Sequence, residues 1–180
     1  IFDEESCMNA PTRVGRFSTS ATYATALAAW IFDRYTSDSD VQVAATNWRK
    51  RLLLSNQVYE DLSSILSLHQ KLYLWDTLGT AQQKRTAASS LCNSALSIIQ
   101  CEDRPHFVHL RREILCLERT GLAPERLING NDLLEAGIPP SPVLGEVLES
   151  VYDAQLEGSV TLRAQAIELA QAIYRDFLDS

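Results

Sequence analysis

The chain has 180 residues, a length that predicts one domain or two small ones. Hydrophobic residues make up 46% of it, which is enough for a packed core, and no apolar run approaches the roughly 18 residues of a membrane span. The formal net charge of −7 excludes a uniformly basic surface of the kind that nucleic-acid-binding proteins present. A basic stripe on an acidic chain remains compatible with that total, so the distribution of Lys and Arg matters more than their sum.

The N-terminus, Ile1 to Glu5, lacks the basic and apolar regions of a signal peptide. We therefore expect a cytoplasmic protein. A chain that opens on Ile rather than Met also suggests a fragment of a longer protein. The cysteines show no metal-binding spacing and are expected to be buried free thiols. They are Cys7, Cys92, Cys101 and Cys116.

The segments with a clear hydrophobic period are all helical. Pro and Gly are scarce before residue 120, and the alternation of β-branched residues that is typical of strands is absent. Helices are predicted over about 20–35, 40–53, 55–74, 80–100, 105–120, 132–137 and 141–158, and from about 161 onwards. The predicted fold class is all-α, an irregular bundle of about eight helices with a small helical tail.

Glycine and proline punctuate the segment 127–158. Asp132 is predicted to cap a short helix that ends at Gly137, because Gly adopts positive φ without strain. Pro139 and Pro140 cannot continue a helix, so an extended elbow should follow.

A longer helix is predicted after the elbow, with Ser141 as its N-cap, Pro142 at its first position and Gly158 at its end. The backbone N–H groups of residues 141–144 carry partial positive charge and form a candidate phosphate site. From the residues alone, helix punctuation without any ligand remains the simpler explanation.

The same segment resembles a family signature. Residues 129–158 read NGNDLL..GIPPSP.LG..L......QLEG, which resembles the C-terminal RNA-contacting region of the tRNA nucleotidyltransferases that add CCA, and of bacterial poly(A) polymerases built on the same plan. Upstream, Arg49–Asn56 is similar to the family's "R..L.LSN" segment, whereas residues 140–142 read Pro-Ser-Pro where the family usually has Pro-Gly-Pro. The positions that carry the pattern are Gly130, Asp132, Gly137, Pro140, Pro142, Gly145 and Gly158.

The resemblance implies a division into a helical body, residues 1–122, and a helical tail, residues 123–180. It also implies that the catalytic half lies upstream in cis and holds Mg²⁺ and ATP or CTP. Nucleotidyl transfer needs carboxylates that hold two metal ions, and no Asp-x-Asp lies on a strand-like segment here. The sequence Ser37-Asp-Ser-Asp40 has the letters but lies in a polar interhelical turn. The fragment alone is therefore expected to be inactive, with no cofactor of its own.

A metal site is the alternative use of His106 and His109, which are three residues apart on one predicted helix. No carboxylate-rich metal motif accompanies them, so no metal is predicted.

Basic residues are the remaining candidates for a site. Fourteen of the sixteen Lys and Arg residues precede residue 130, which leaves the tail acidic. A solvated face with local ion pairs would explain them without a ligand. With the resemblance, we expect contacts to the phosphates of tRNA or another RNA from Arg49, Lys50, Arg51, Arg104, Arg111, Arg112, Arg126 and Ser141.

Three functions remain open at this stage. The first is the tRNA-positioning portion of a CCA-adding enzyme, and the second is the corresponding part of a poly(A) polymerase. The third is an acidic helical protein-interaction module, which an acidic surface over residues 104–126 would favour.

Overall fold

A computed structural model describes residues 13–17, 21–35 and 37–178, and in these ranges the chain forms nine α-helices and no strand. The all-α prediction is therefore confirmed. The predicted helix start at Ser20 and the thiol of Cys7 lie outside the described residues. The helices are α1 Tyr23–Phe32, α2 Asp38–Arg51, α3 Asn56–Tyr73, α4 Thr80–Ala88, α5 Cys92–Glu102, α6 Arg104–Thr120, α7 Gly130–Glu135, α8 Val143–Glu157 and α9 Arg163–Leu178.

The single helix predicted over residues 80–100 is wrong, since the chain forms α4 and α5 there with a break at Ser89 and Ser90. Ser89 explains the break by its local hydrogen bonds. Its carbonyl accepts from the Cys92 N–H at 3.0 Å, and its hydroxyl accepts from the Leu91 N–H at 3.4 Å. Such local bonds offer the backbone an alternative to the helical ladder.

The chain divides into two compact units. Unit 1 comprises the residues up to Asp76 together with Ser89–Leu115, and unit 2 comprises Thr77–Ala88 together with the residues from Cys116 onwards. The predicted tail, 123–180, falls within unit 2, and α4 joins it there from the middle of the sequence. Whether the family's body and tail end at residue 122 in this chain stays a prediction.

Unit 1 is built around α3. Its Leu62, Ile65 and Leu72 are fully buried, as the periodicity of the segment predicts. Helices α1, α2 and α5 pack on α3, and α1 presents Ala28 and Ala29 to the core, where small side chains permit close approach. Ser55 caps α3 through a bond from the Val58 N–H, which confirms the predicted start of that helix.

Unit 2 has a core of its own. Helices α7, α8 and α9 bury one apolar cluster, and α4 packs against α8. The buried members of the cluster are Ile128, Leu133, Ile138, Val147, Val151, Val160, Ala166 and Ala170. None of the described helices combines the length and the apolarity that crossing a bilayer requires.

Candidate nucleic-acid interface

The punctuated segment folds as a short helix, a proline elbow and a long helix, but its first cap differs from the prediction. Asn129, not Asp132, is the N-cap of α7. The Asn129 side chain accepts from the Asp132 N–H, while the Asp132 carboxylate accepts from the Asn129 N–H at 2.7 Å. These reciprocal bonds form a capping box, so Asp132 occupies the third helical position rather than the cap.

Asp132 is also paired with the Arg163 guanidinium of α9. The backbone bond from Asn129 and the bond from Arg163 lower the pKa of Asp132. The motif aspartate thus ties the start of α7 to the start of α9.

The start of the second helix also differs from the prediction. Helix α8 begins at Val143, and Pro142 occupies the cap position with a helical backbone. Ser141 does not cap through its side chain. Its carbonyl accepts from the Leu144 N–H at 3.1 Å, and its hydroxyl oxygen is buried with no hydrogen-bond partner in the described structure.

The motif glycines serve different purposes. Gly137 and Gly158 adopt positive φ, 88° and 81°, where the predicted helix ends require left-handed backbone. A Cβ on Gly130 would lie 3.7 Å from the Leu144 side chain, whereas one on Gly145 would meet nothing within 4 Å. Pro140 is exposed in the elbow that precedes α8.

Helix α8 holds the chain that leads into the motif. The Tyr152 hydroxyl donates to the Pro124 carbonyl at 3.0 Å. The Gln155 amide donates to the Glu125 carbonyl at 2.7 Å and accepts from the Leu127 N–H at 3.1 Å. The glutamine of the family pattern therefore has a structural use in this chain.

Arg126, one of the predicted RNA contacts, belongs to this structural group. Its guanidinium pairs with Glu149 and lies 4.5 Å from the centre of the Tyr152 ring. Arg85 occupies a similar place, paired with Glu149 at 2.7 Å and with Asp153 at 2.6 Å. Hydrogen bonds from Arg126 and Arg85 lower the pKa of Glu149 despite partial burial.

Unit 2 as a whole is acidic, with six Lys and Arg residues against eleven Asp and Glu residues. Arg85, Arg126 and Arg163 each bind a carboxylate, and Lys84 is buried. These residues are committed to the fold, which leaves little positive charge for a polyanion.

The predicted basic residues of unit 1 form two clusters. The first, the α2 cluster, consists of Arg49, Lys50 and Arg51 in the last turn of α2, where cations also favour the helix dipole. Arg49 donates to the Asn56 side chain at 2.9 Å and lies over the Tyr59 ring. Lys50 and Arg51 are exposed, and neither has an ion-pair partner within the described part of the chain.

The second, the α6 cluster, consists of Arg104, Arg111 and Arg112 on the first three turns of α6. Arg104 is exposed and forms no ion pair with any described residue. Arg111 reaches only the neutral Asn93 side chain, at 3.5 Å. Arg112 is exposed and bonds its neighbour Glu113 at 3.4 Å.

Helix α3 contacts the helices that carry the two clusters, one near each of its ends. Arg49 bonds Asn56 at the start of α3, while α6 is held at the other end, where the His106 ring bonds the Leu72 carbonyl at 3.1 Å. Sixteen residues separate these anchor points, or about 24 Å at 1.5 Å per residue. These contacts fix the end of α2 and the start of α6 relative to α3.

A buried ionic network in unit 1 is a feature that the sequence analysis missed. The Glu102 carboxylate accepts from His69 and Tyr73, each at 2.8 Å, and pairs with the Arg13 guanidinium. Arg13 pairs in turn with Asp33 at 2.6 Å. Burial would raise the pKa of Glu102, but the bond and charge of His69, with Tyr73 and Arg13, outweigh it and lower that pKa. The one signal of this network in the sequence is His69, a polar residue among the leucines of the buried face of α3.

The network borders an open pocket of unit 1, which Phe32 and Tyr35 also line. The Phe32 ring stacks on the His69 ring with centroids 4.0 Å apart, so each ring covers one face of the other. Burial and the Glu102 carboxylate raise the pKa of Tyr73. Each polar group of the network thus has a partner inside the unit.

The two histidines of α6 that offer an alternative metal site both have other contacts. His106 bonds the Leu72 carbonyl, and His109 bonds Asp76 at 3.1 Å and Arg112 at 3.3 Å. No group of three possible metal ligands occurs among the residues that the structure describes. The described cysteines are all free. Cys92 is buried as expected, whereas Cys101 is only partly buried and Cys116 is exposed, contrary to the expectation of buried thiols.

Comparison with known proteins adds no relative: no family model matches the chain, and neither a curated protein nor a solved structure is significantly similar to it.

Proposed function

We propose that this chain is the tRNA-positioning portion of a cytoplasmic nucleotidyltransferase that adds CCA to tRNA 3′ ends. The observation that carries the proposal is the spacing of residues 129–158, a capped helix, a proline elbow and a second helix closed by Gly158. The catalytic half of the parent enzyme, in cis, would hold Mg²⁺ and ATP or CTP. This chain contributes binding and no chemistry of its own.

The role of unit 1 in this proposal is to hold RNA phosphates. Phosphate contacts fix the position of a nucleic acid without reading its sequence, and A-form RNA is recognised mainly by shape. Lys50, Arg51 and Arg104 supply exposed cations with no ion pair in the described structure. Because the two clusters lie on helices of one unit, they favour a rigid stem over a flexible strand as the ligand.

Unit 2 has a different role, which is to shape the chain rather than to grip RNA. Arg126 is paired with Glu149, so we now place it among the structural residues. The N-terminus of α8 beside Ser141 remains a subsidiary phosphate site through the helix dipole, although Pro142 has no N–H and the Leu144 N–H already donates to the Ser141 carbonyl. An acidic surface over residues 104–126 would favour a protein-interaction module, and that segment holds five arginines against three glutamates.

A titration of tRNA with the 180-residue chain tests the proposal. Binding should weaken steeply between about 50 mM and about 200 mM salt, because each neutralised phosphate releases counterions. Affinity that is absent at tens of micromolar protein, or that does not respond to salt, would contradict an RNA-positioning role.

A pair of double variants locates the contacts. Lys50→Ala with Arg51→Ala should reduce the slope of log Kd against log salt by roughly 1.5, since two phosphate contacts are lost. Arg163→Ala with Arg175→Ala removes the same charge from unit 2 and serves as the matched control. Equal losses in the two doubles would indicate an effect of net charge alone.

The product of the parent enzyme separates CCA addition from poly(A) synthesis. CCA addition consumes CTP and stops after three nucleotides have been added. A CTP-independent homopolymer of A would replace the proposed reaction with poly(A) synthesis and leave the positioning role of this chain intact.

A further inference from the structure

Leu53 lies directly after the α2 cluster in an unusual backbone conformation. Its φ is +50°, and it is the sole non-glycine residue at positive φ in the described ranges. Its side chain is also 87% exposed, the largest value recorded for a large apolar residue in those ranges. The backbone of Leu53 is strained and its side chain is exposed to water, so glycine at this position would serve the fold equally well.

The positive φ itself has a local cause. Leu52 caps the end of α2, and the Leu54 N–H donates to the Arg49 carbonyl at 3.1 Å. This bond, from the second residue after the cap back into the helix, is the six-to-one bond of a Schellman motif. The residue between, Leu53, must then adopt left-handed backbone, a position that glycine usually fills.

At every other position where the described residues adopt positive φ, the chain has glycine. Gly121, Gly137 and Gly158 all have φ between 81° and 88°, after α6, α7 and α8 respectively. Leucine stands in place of glycine at the helix end that follows two exposed cations, Lys50 and Arg51, neither of which forms an ion pair with a described residue. Strain, exposure and neighbouring charge therefore coincide at one turn.

We infer that Leu53 is an apolar contact residue that packs against the RNA between the phosphates bound by Lys50 and Arg51. The inference rests on the proposed function and names a further residue of that site. The minor groove of an A-form stem is wide and shallow and displays ribose and base edges, a surface that a projecting leucine can reach. Apolar wedges beside cations are a known means of seating a protein in a groove.

The cations select this occupant over the others. An apolar projection alone would suit a protein or a bilayer equally well. Lys50 and Arg51, in the last turn of the helix that Leu53 follows, favour a partner that places anions beside an apolar surface. A nucleic acid groove, bounded by two phosphate backbones, provides that arrangement.

Substitution of Leu53 in the 180-residue chain tests the inference with labelled tRNA. Leu53→Gly and Leu53→Ala should each weaken binding about fivefold to tenfold, the equivalent of exposing part of a leucine side chain. The slope of log Kd against log salt should stay unchanged, because an apolar contact releases no counterions. Leu53→Met should retain the wild-type affinity.

Two controls separate contact from folding. Leu53→Gly should melt at or above the wild-type temperature, because glycine relieves the strained backbone, yet it should still bind RNA less well. Leu162→Ala removes another exposed leucine, 60% exposed and adjacent to the paired Arg163, and should leave the affinity unchanged.

Wild-type affinity in Leu53→Gly would overturn the inference while leaving the proposed function standing. The same holds if Leu53→Gly binds tRNA normally but loses affinity for anionic phospholipid vesicles, since the residue would then serve a membrane. A wild-type chain that shows no salt-dependent tRNA binding would remove the proposed function, and this inference with it.

Discussion

Units 1 and 2 use their arginines in opposite ways. In unit 2, Arg85, Arg126 and Arg163 bind carboxylates of the same unit. In unit 1, Arg13 alone is committed to a buried network, and exposed cations such as Arg51 and Arg104 form no ion pair with the described residues. The net charge of −7 is therefore distributed unevenly between the two units, and most of it belongs to unit 2. The acidic unit pairs three of its six cations with its own carboxylates, and the other unit leaves several exposed cations without an ion pair among the described residues.

The two units also end their helices differently. Unit 2 places Gly137 and Gly158 at its left-handed positions, where they cost no strain. Unit 1 places Leu53 at the same kind of position and leaves it exposed. The residues at the helix ends of unit 2 therefore avoid backbone strain, whereas the residue after α2 accepts strain and exposes an apolar side chain.

The largest effect on stability is expected from Glu102→Gln in the buried network of unit 1. The substitution leaves the Arg13 guanidinium with one carboxylate fewer and weakens the bonds from His69 and Tyr73. We expect a loss of about 3 kcal/mol in the free energy of unfolding, measured by urea titration. Glu168→Gln, on the exposed surface of α9, is the control and should change the free energy by less than about 0.5 kcal/mol. Similar losses in both would argue against a network in unit 1.

Acid should remove part of the same stabilisation. The pKa of Glu102 is lower in the folded protein than its ordinary value, so its contribution is present above the unfolded-state pKa and is lost as the pH falls through the folded-state pKa. Urea titrations from pH 7 downwards should show stability falling below about pH 4.5, the region in which a free glutamate titrates. Glu102→Gln should show a shallower fall. Parallel curves for variant and wild type would contradict the assignment.

Gly158→Ala tests the helix ends of unit 2. Alanine at φ 81° is strained, and a loss of about 1 kcal/mol is expected in the free energy of unfolding. No atom lies within 4 Å of the added Cβ, so the cost isolates backbone strain from crowding. Gly145→Ala is the matched control in α8, also with open space, and should be neutral or stabilising. Equal behaviour of the two would show that positive φ is not what Gly158 supplies.

The smallest effect should come from Arg126→Met, which keeps the length of the side chain and removes its charge. Its pair with Glu149 is exposed, so the stability should fall by less than about 1 kcal/mol, measured by thermal melting. Its tRNA affinity should equal that of the wild type at every salt concentration. A weaker salt dependence of tRNA binding in this variant would show that Arg126 contacts RNA, and would contradict the assignment of RNA contacts to unit 1.

The all-α class and most helix ends were predictable because local chemistry decides them. Ser55 caps α3 and Gly158 ends α8, as the sequence indicates. The misplaced caps also have local causes, since Asn129 competes with Asp132 and the helix after Ser141 begins two residues later. The Glu102 network was not predictable, because it joins residues as far as 89 positions apart in sequence. No periodicity in one segment can report such a pairing.

The basic residues of the candidate site were predictable from the sequence, but which of them are paired with carboxylates was not. A run such as Arg49–Arg51 is visible in the sequence, whereas the pairing of Arg126 with Glu149 depends on tertiary structure. The pairing of a cation decides whether it is available, so structure was required to separate the two kinds of arginine. The role of Leu53 likewise required its backbone conformation and its exposure.

Amide hydrogen exchange of the 180-residue chain, with and without saturating tRNA, shows which unit holds the RNA. If unit 1 holds it, as proposed, tRNA slows exchange over residues 49–54 and 104–112 of unit 1 and leaves residues 124–136 and 146–158 of unit 2 unchanged. Protection confined to unit 2, with residues 49–54 and 104–112 unaffected, would contradict the proposal.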